Sequence, residues 1–172
     1  MKFTEMGLPL VFLKPGEVYV TEKPALVKTV LGSCVSITMF EPMRRVAAIC
    51  HGMLPDCGGK GCGDCPEKLK YVTCSIKYIM NKMQDKGVNT RDIEIKAFGG
   101  GDVLTYRNYD ARATVGRQNI DAALGILEAL GHKPKTSDLG GDRGRKIFFN
   151  TQTGEVLLRK LRKTAVECVR VT

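Results

Sequence analysis

The feature that most limits how this chain can fold is the stretch from Leu31 to Pro55, LGSCVSITMFEPMRRVAAICHGMLP. Two apolar runs, Val35 to Phe40 and Val46 to Met53, flank the polar segment Glu41-Pro42-Met43-Arg44-Arg45, where a proline takes a turn position. β-Branched Val35, Ile37 and Thr38 favour extended backbone in the first run. The pattern is strand, turn, strand. A hairpin brings the end of its second strand back beside the start of its first. Cys34 stands at the mouth of the first strand, directly after Gly32 and Ser33, and His51 stands near the end of the second.

A thiol and an imidazole brought together form the smallest nucleophile–base pair for acyl chemistry. A free thiol titrates near ~8.5 and is mostly protonated at neutral pH, and a neighbouring imidazolium favours the thiolate. Gly32 lets the backbone turn tightly and leave N–H groups exposed, in position to stabilise an oxyanion. The plain alternative is that Cys34 is a small buried hydrophobe in a strand. With two histidines in the chain, His51 and His132, the pairing is not one choice among many.

Further motifs accompany the hairpin: KAFGGGDV from Lys96 to Val103, VGRQNI from Val115 to Ile120, and LGGDRGRKIFFNTQTGEV from Leu139 to Val156. Together with LGSCVSI and CHGMLP, and in this order, they resemble the CheD family of chemoreceptor glutamine deamidases. The resemblance covers roughly Gly16 to Leu161. It implies an α/β layered sandwich similar to the catalytic domain of a bacterial deamidating toxin. It implies hydrolysis of selected receptor glutamine side chains to glutamate, with Cys34 as nucleophile and His51 as base and no cofactor required. Some members also act on glutamate methyl esters, and some bind the chemotaxis phosphatase CheC. The family's third catalytic residue is a Thr six positions before the Cys, where this chain has Lys28; Thr29 follows it. A shift of one residue reverses the face of a strand. Either a local bulge or gap restores Thr29 to the site, or another group orients His51.

Length and composition agree with one soluble domain spanning 1–172: hydrophobic residues make up 43% and charged residues 26%. No apolar run approaches a membrane span, and the N-terminus lacks the features of a secretory signal, so the expected location is cytoplasmic. Seven cysteines in a reducing compartment are read as thiols or metal ligands. The net charge of +9 permits an acidic partner, nucleic acid or an anionic surface and selects none.

The segment DCGGKGCGDCP, from Asp56 to Pro66, carries Cys57, Cys62 and Cys65, with Cys50 before it and Cys74 after it. A Cys-x2-Cys pair beside a third cysteine suits a structural zinc site, although the spacing also resembles part of an iron–sulfur set. The bland reading is a glycine-rich surface loop. The family pattern does not include this cluster, and any metal would brace the loop.

Elsewhere, Glu67 to Lys86 is expected as a helix with Leu69, Val72, Ile76, Ile79, Met80 and Met83 on its apolar face. Ala25 to Leu31 and Ile93 to Ala97 read as strands, and Phe98 to Asp102 as a bend beside the active-site mouth. A second helix, Val115 to Leu130, is expected to bury Ile120, Ala123, Leu124, Leu127 and Leu130. A final hairpin pairs Lys146 to Phe149 with Glu155 to Leu161, and the basic cluster of Arg143, Arg145 and Lys146 reads as a solvated face. The fold expected is therefore a mostly antiparallel sheet arrangement with two main helices outside. Two rival functions compete with the deamidase: a cysteine-cluster metal-binding interaction module without catalysis, and a basic nucleic-acid binder, which the scarcity of aromatics disfavours.

Overall fold

A computed structural model describes residues 7–58, 67–103 and 114–162. The strands are β1 (Leu10–Phe12), β2 (Val18–Thr21), β3 (Leu26–Leu31), β4 (Val35–Glu41), β5 (Val46–Cys50), β6 (Glu94–Gly99), β7 (Thr136–Leu139), β8 (Arg145–Asn150) and β9 (Val156–Lys160). The helices are α1 (Val72–Asp85) and α2 (Val115–Ala129). A four-stranded sheet has the order β1-β3-β8-β9, and a five-stranded sheet the order β2-β5-β4-β6-β7. Pairing is antiparallel except for β1 with β3 and β6 with β7. The mixed α/β architecture with two main helices agrees with the sequence reading.

The hairpin forms because its turn is capped from within. The Glu41 carboxylate accepts from the N–H groups of Met43, at 2.8 Å, and Arg44, at 2.7 Å. Every residue of β4 and β5 is buried. One face of their sheet packs on α1 and α2 through Ile37, Met39, Ala48, Ile76, Ile79, Ala123 and Leu127. The other face meets the second sheet through Phe40, Ala47, Ile49, Val27, Ile147 and Phe149. A strand covered on both faces has no solvent side, so continuous apolar runs replace alternation.

Three expectations need correction. The first helix begins at Val72 and not at Glu67; Lys68–Lys70 is a short 3-10 turn that includes Leu69. Tyr71 is extended and bridges to Leu54, and Val72 donates to the Leu54 carbonyl at 2.8 Å, so the chain is held as sheet up to the helix start. On α2, Leu124 and Leu130 are 39% and 38% exposed, because Gly116, Asn119, Ile120, Ala123 and Leu127 form a narrower contact stripe. Arg145 is not part of a solvated face. It is 2% exposed, bonded through Nε to Asp138 at 2.6 Å and through Nη2 to the Gly140 carbonyl at 2.5 Å.

Candidate active site

The β3 strand decides which of Lys28 and Thr29 enters the site. Val27 and Leu31 pack between the sheets, so Thr29, of the same parity, points there too and is fully buried. Lys28 turns to the outer face, its Nζ 5.9 Å from the Phe12 ring centroid and 6.0 Å from that of Phe148. No bulge is involved: β3 pairs with β8 without a break from Leu26 opposite Asn150 to Leu31 opposite Arg145.

Thr29 reaches His51 across the gap between the sheets, with Oγ1 2.7 Å from Nδ1. The same hydroxyl donates to the Leu13 carbonyl at 2.8 Å. A hydroxyl has one proton and a carbonyl can only accept, so Oγ1 accepts from Nδ1–H. That assigns the tautomer: Nε2 holds the lone pair. His51 is 1% exposed, and its Nε2 is buried with no hydrogen-bond partner. Its backbone is pinned as well, with N–H donating to the Glu17 carbonyl at 3.0 Å and C=O accepting from Gly16 at 2.8 Å. Burial lowers the imidazole pKa to about 4, against the opposing pull of the Leu13 carbonyl and the Glu17 charge.

Cys34 lies one residue before β4. Thr38 stands opposite Ile49 and Val35 opposite Gly52, a register that sets Ser36 opposite His51. Cys34 is two residues from Ser36 and shares its face, so Cys34 and His51 are diagonal neighbours on the side facing the second sheet. Cys34 is half-buried, and burial pushes its thiol pKa up, opposed by its own backbone N–H. No hydrogen bond joins Sγ to Nε2 in this state. With the thiol raised and the imidazole lowered, the resting pair is neutral.

The loop holding Cys34 uses up its carbonyls and leaves its amides. Gly32 C=O accepts from Gly101 N–H at 2.9 Å and Cys34 C=O from Gly100 N–H at 2.8 Å. Ser33 C=O accepts from Asn119 Nδ2 at 2.9 Å, and the same nitrogen donates to Met53 C=O at 3.0 Å. The Ser33 N–H makes no hydrogen bond among the described residues, and the Cys34 N–H meets its own thiol alone. Gly99, at φ 111°, permits this approach: a Cβ there would sit 2.1 Å from the Cys34 carbonyl oxygen. The glycine bend after β6 thus packs against the loop that carries Cys34.

Two residues that sequence reasoning did not single out belong here. Asn119, fully buried on α2, ties the Cys34 loop to the segment after His51. Its signal was present in the VGRQNI motif. Ser36 has a buried hydroxyl without a partner, and a serine inside an apolar run carries no comparable signal.

Beside this arrangement lies a cleft of about 230 Å³ lined by Gly140, Gly141, Asp142, Arg143, Arg145 and Lys160. The Gly141 carbonyl accepts from Asp102 N–H at 2.7 Å, joining the cleft wall to the bend after β6. Burial raises the Asp138 pKa, but its bonds to Arg145 and Lys160 outweigh that and hold it below its ordinary value.

Of the cysteine loop, Cys57 is described, whereas Cys62 and Cys65 lie outside the described residues. No group of three or more metal-ligating side chains occurs among the described residues. Cys50 is fully buried in the helix-facing core, where burial pushes its thiol pKa up. His132 lies just past α2, its N–H bonded to the Leu127 carbonyl at 2.9 Å. No helix among the described residues is long and apolar enough to cross a membrane.

Comparison with known proteins follows the same direction as the geometry. The family model described as CheD chemotactic sensory transduction matches residues 53–160. A probable chemoreceptor glutamine deamidase CheD 2 of Geobacter sulfurreducens is 44% identical over 160 residues, covering 93% of this chain and 95% of the relative. A probable chemoreceptor glutamine deamidase CheD of Maridesulfovibrio salexigens is 40% identical over 157 residues, 89% and 92% of the two chains. The chemoreceptor glutamine deamidase CheD of Thermotoga maritima is 33% identical over 147 residues, 85% and 88% of the two chains.

Proposed function

The chain belongs to the CheD family, and from that premise we propose that it hydrolyses glutamine side-chain amides of chemoreceptors to glutamate, releasing ammonia, with Cys34 as nucleophile. The observation that carries this reading is the Thr29–His51 bond. It leaves an unpartnered Nε2 lone pair on the face that also bears Cys34.

In the proposed reaction His51 Nε2 takes the thiol proton, and the Cys34 sulfur attacks the carboxamide carbon. The N–H groups of Ser33 and Cys34 stabilise the oxyanion. His51 returns its proton to the leaving nitrogen, ammonia departs, and a thioester remains. Water, deprotonated by His51, attacks the thioester. The products are the glutamate carboxylate and the regenerated thiol. Thr29 is a positioning residue: it keeps Nδ1 protonated and Nε2 basic. No cofactor takes part.

The remaining proposals are drawn from the family resemblance. They comprise kinship with the deamidating-toxin catalytic domain, action in the cytoplasm on receptor signalling segments, and binding of a CheC-type phosphatase.

Mass spectrometry of receptor fragments, together with ammonia release, tests the assignment. Cys34→Ala should abolish turnover, by about 10³-fold or more, without unfolding the chain. Thr29→Ala should lower kcat more than KM, and Thr29→Ser should restore most of the loss. Retained turnover in Cys34→Ala refutes the nucleophile, and an unchanged kcat in Thr29→Ala removes Thr29 from the site.

A further inference from the structure

The outer face of the four-stranded sheet carries no helix among the described residues, because α1 and α2 both pack on the five-stranded sheet. Alternation along the strands sets what faces out. Val11, Val27, Ile147, Phe149 and Leu158 point between the sheets. Phe12, Lys28, Phe148 and Leu157 therefore form one outward row across all four strands, and Val30, Lys146 and Arg159 form the next. Phe12 is 54% exposed and Leu157 48%, and Val30 is exposed as well. Lys28, Lys146 and Arg159 make no ion pair among the described residues. The outward residues of these strands include no carboxylate. Glu155, just before β9, accepts from the Thr153 hydroxyl at 3.2 Å. Val30 stands two residues before Gly32, so the second row lies where the sheet runs into the Cys34 loop.

We propose that this face is a docking surface for the chemoreceptor substrate and takes an acidic, amphipathic segment of it; the proposal rests on the deamidase reading above. A standard protein interface buries about 800 Å² on each partner. The catalytic site does not supply that area: His51 is buried and Cys34 half-buried, so the site admits a side chain and not a surface. The three cations call for carboxylates. Hydrolysis itself adds one carboxylate to the substrate at each glutamine converted. A second copy of this chain is disfavoured, since two such faces would set cation against cation. A bilayer is disfavoured by depth. Lys28 lies between the rings of Phe12 and Phe148, so lipid that took up the rings would bury the ammonium with them. A polypeptide can bring a carboxylate to that point. A stacked nucleobase is disfavoured because the Lys28 ammonium already lies over both rings.

The test gives the full chain two substrates: a receptor cytoplasmic fragment, and a short peptide carrying one of its target glutamines. Lys146→Glu combined with Arg159→Glu, and separately Phe12→Ser, should raise KM for the fragment by about tenfold or more and leave its kcat unchanged. Turnover of the short peptide, too small to span both site and face, should not change. For the unsubstituted chain, kcat/KM on the fragment should fall as salt rises, and the charge-reversed chain should lose most of that dependence. An unchanged KM in the charge-reversed chain overturns the docking surface and leaves the deamidase reading standing. So does an equal loss on the short peptide, which would mean that the substitutions act through the fold. Self-association, or binding to phosphatidylglycerol vesicles or single-stranded RNA, that the same variants abolish while KM stays unchanged gives the face to that occupant and overturns the proposal. A chain that releases ammonia from neither substrate overturns both readings together. Should Phe12→Ser fail to fold, the salt dependence of the charge-reversed chain still decides.

Discussion

At the scale of single residues, the burial of His51 makes it a sensor of acid. Its pKa falls from an ordinary ~6.5 to about 4 because the folded chain excludes water from the imidazolium. Between those values the unfolded chain binds the extra proton and the folded chain does not. Stability therefore rises with pH across this window and is lost as pH falls from about 6.5 toward 4, by on the order of 3 kcal/mol in full. His51→Gln removes the titration and keeps a polar side chain. Urea unfolding of both proteins at pH 7 and pH 4.5 should show the unsubstituted chain losing more stability than the variant, since carboxylates common to both cancel. Parallel pH profiles would show that His51 does not carry the effect. The same lowered value moves the acid limb of kcat/KM well under the ordinary histidine range.

At the scale of elements, helix α2 acts on the site from behind the sheet. Asn119 Nδ2 donates to the carbonyls of Ser33 and Met53, which flank Cys34 on one side and His51 on the other. Removing the donor leaves two part-buried acceptors unsatisfied, a cost of about 1 kcal/mol or more. Asn119→Ala should therefore lower the thermal midpoint and reduce kcat about tenfold with a smaller change in KM. Asn119→Asp should be worse, because a carboxylate would face two carbonyl oxygens; a stable, active Asp variant would show that the clamp is dispensable. Legibility in the sequence follows the same physics. The hairpin could be read because β4 and β5 bury both faces and their turn carries Pro42 and Glu41. The β7 strand, TSDL, could not, because it is an exposed and half-buried edge paired in parallel with β6, and its residues show no apolar alternation. The start of α1 was misplaced because Tyr71 obeys a long-range bridge to Leu54 and not the local apolar periodicity. Cys34 and His51 were legible as the two ends of one hairpin. Asn119 joins them through contacts 86 and 66 residues away in sequence, which no local pattern encodes.

For the whole molecule, the candidate site is shared between two sheets. Thr29 comes from the four-stranded sheet, and Cys34 and His51 come from the five-stranded one. Neither sheet alone holds the Oγ1–Nδ1 bond, so its geometry depends on the packing between them. Phe149 is a fully buried phenylalanine of that interface, whereas Phe148 next to it faces outward beside Lys28. Truncating Phe149 opens a cavity between the sheets and costs about 3–5 kcal/mol. Phe148→Ala opens none and should cost less than about 2 kcal/mol. If the site depends on sheet spacing, Phe149→Ala should lower kcat even at temperatures where the chain stays folded, and Phe148→Ala should leave kcat unchanged. Urea unfolding measures the first difference and ammonia release the second. Equal kcat in the two folded variants would mean that Thr29 holds His51 independently of the packing around it, and that the sandwich contributes stability alone.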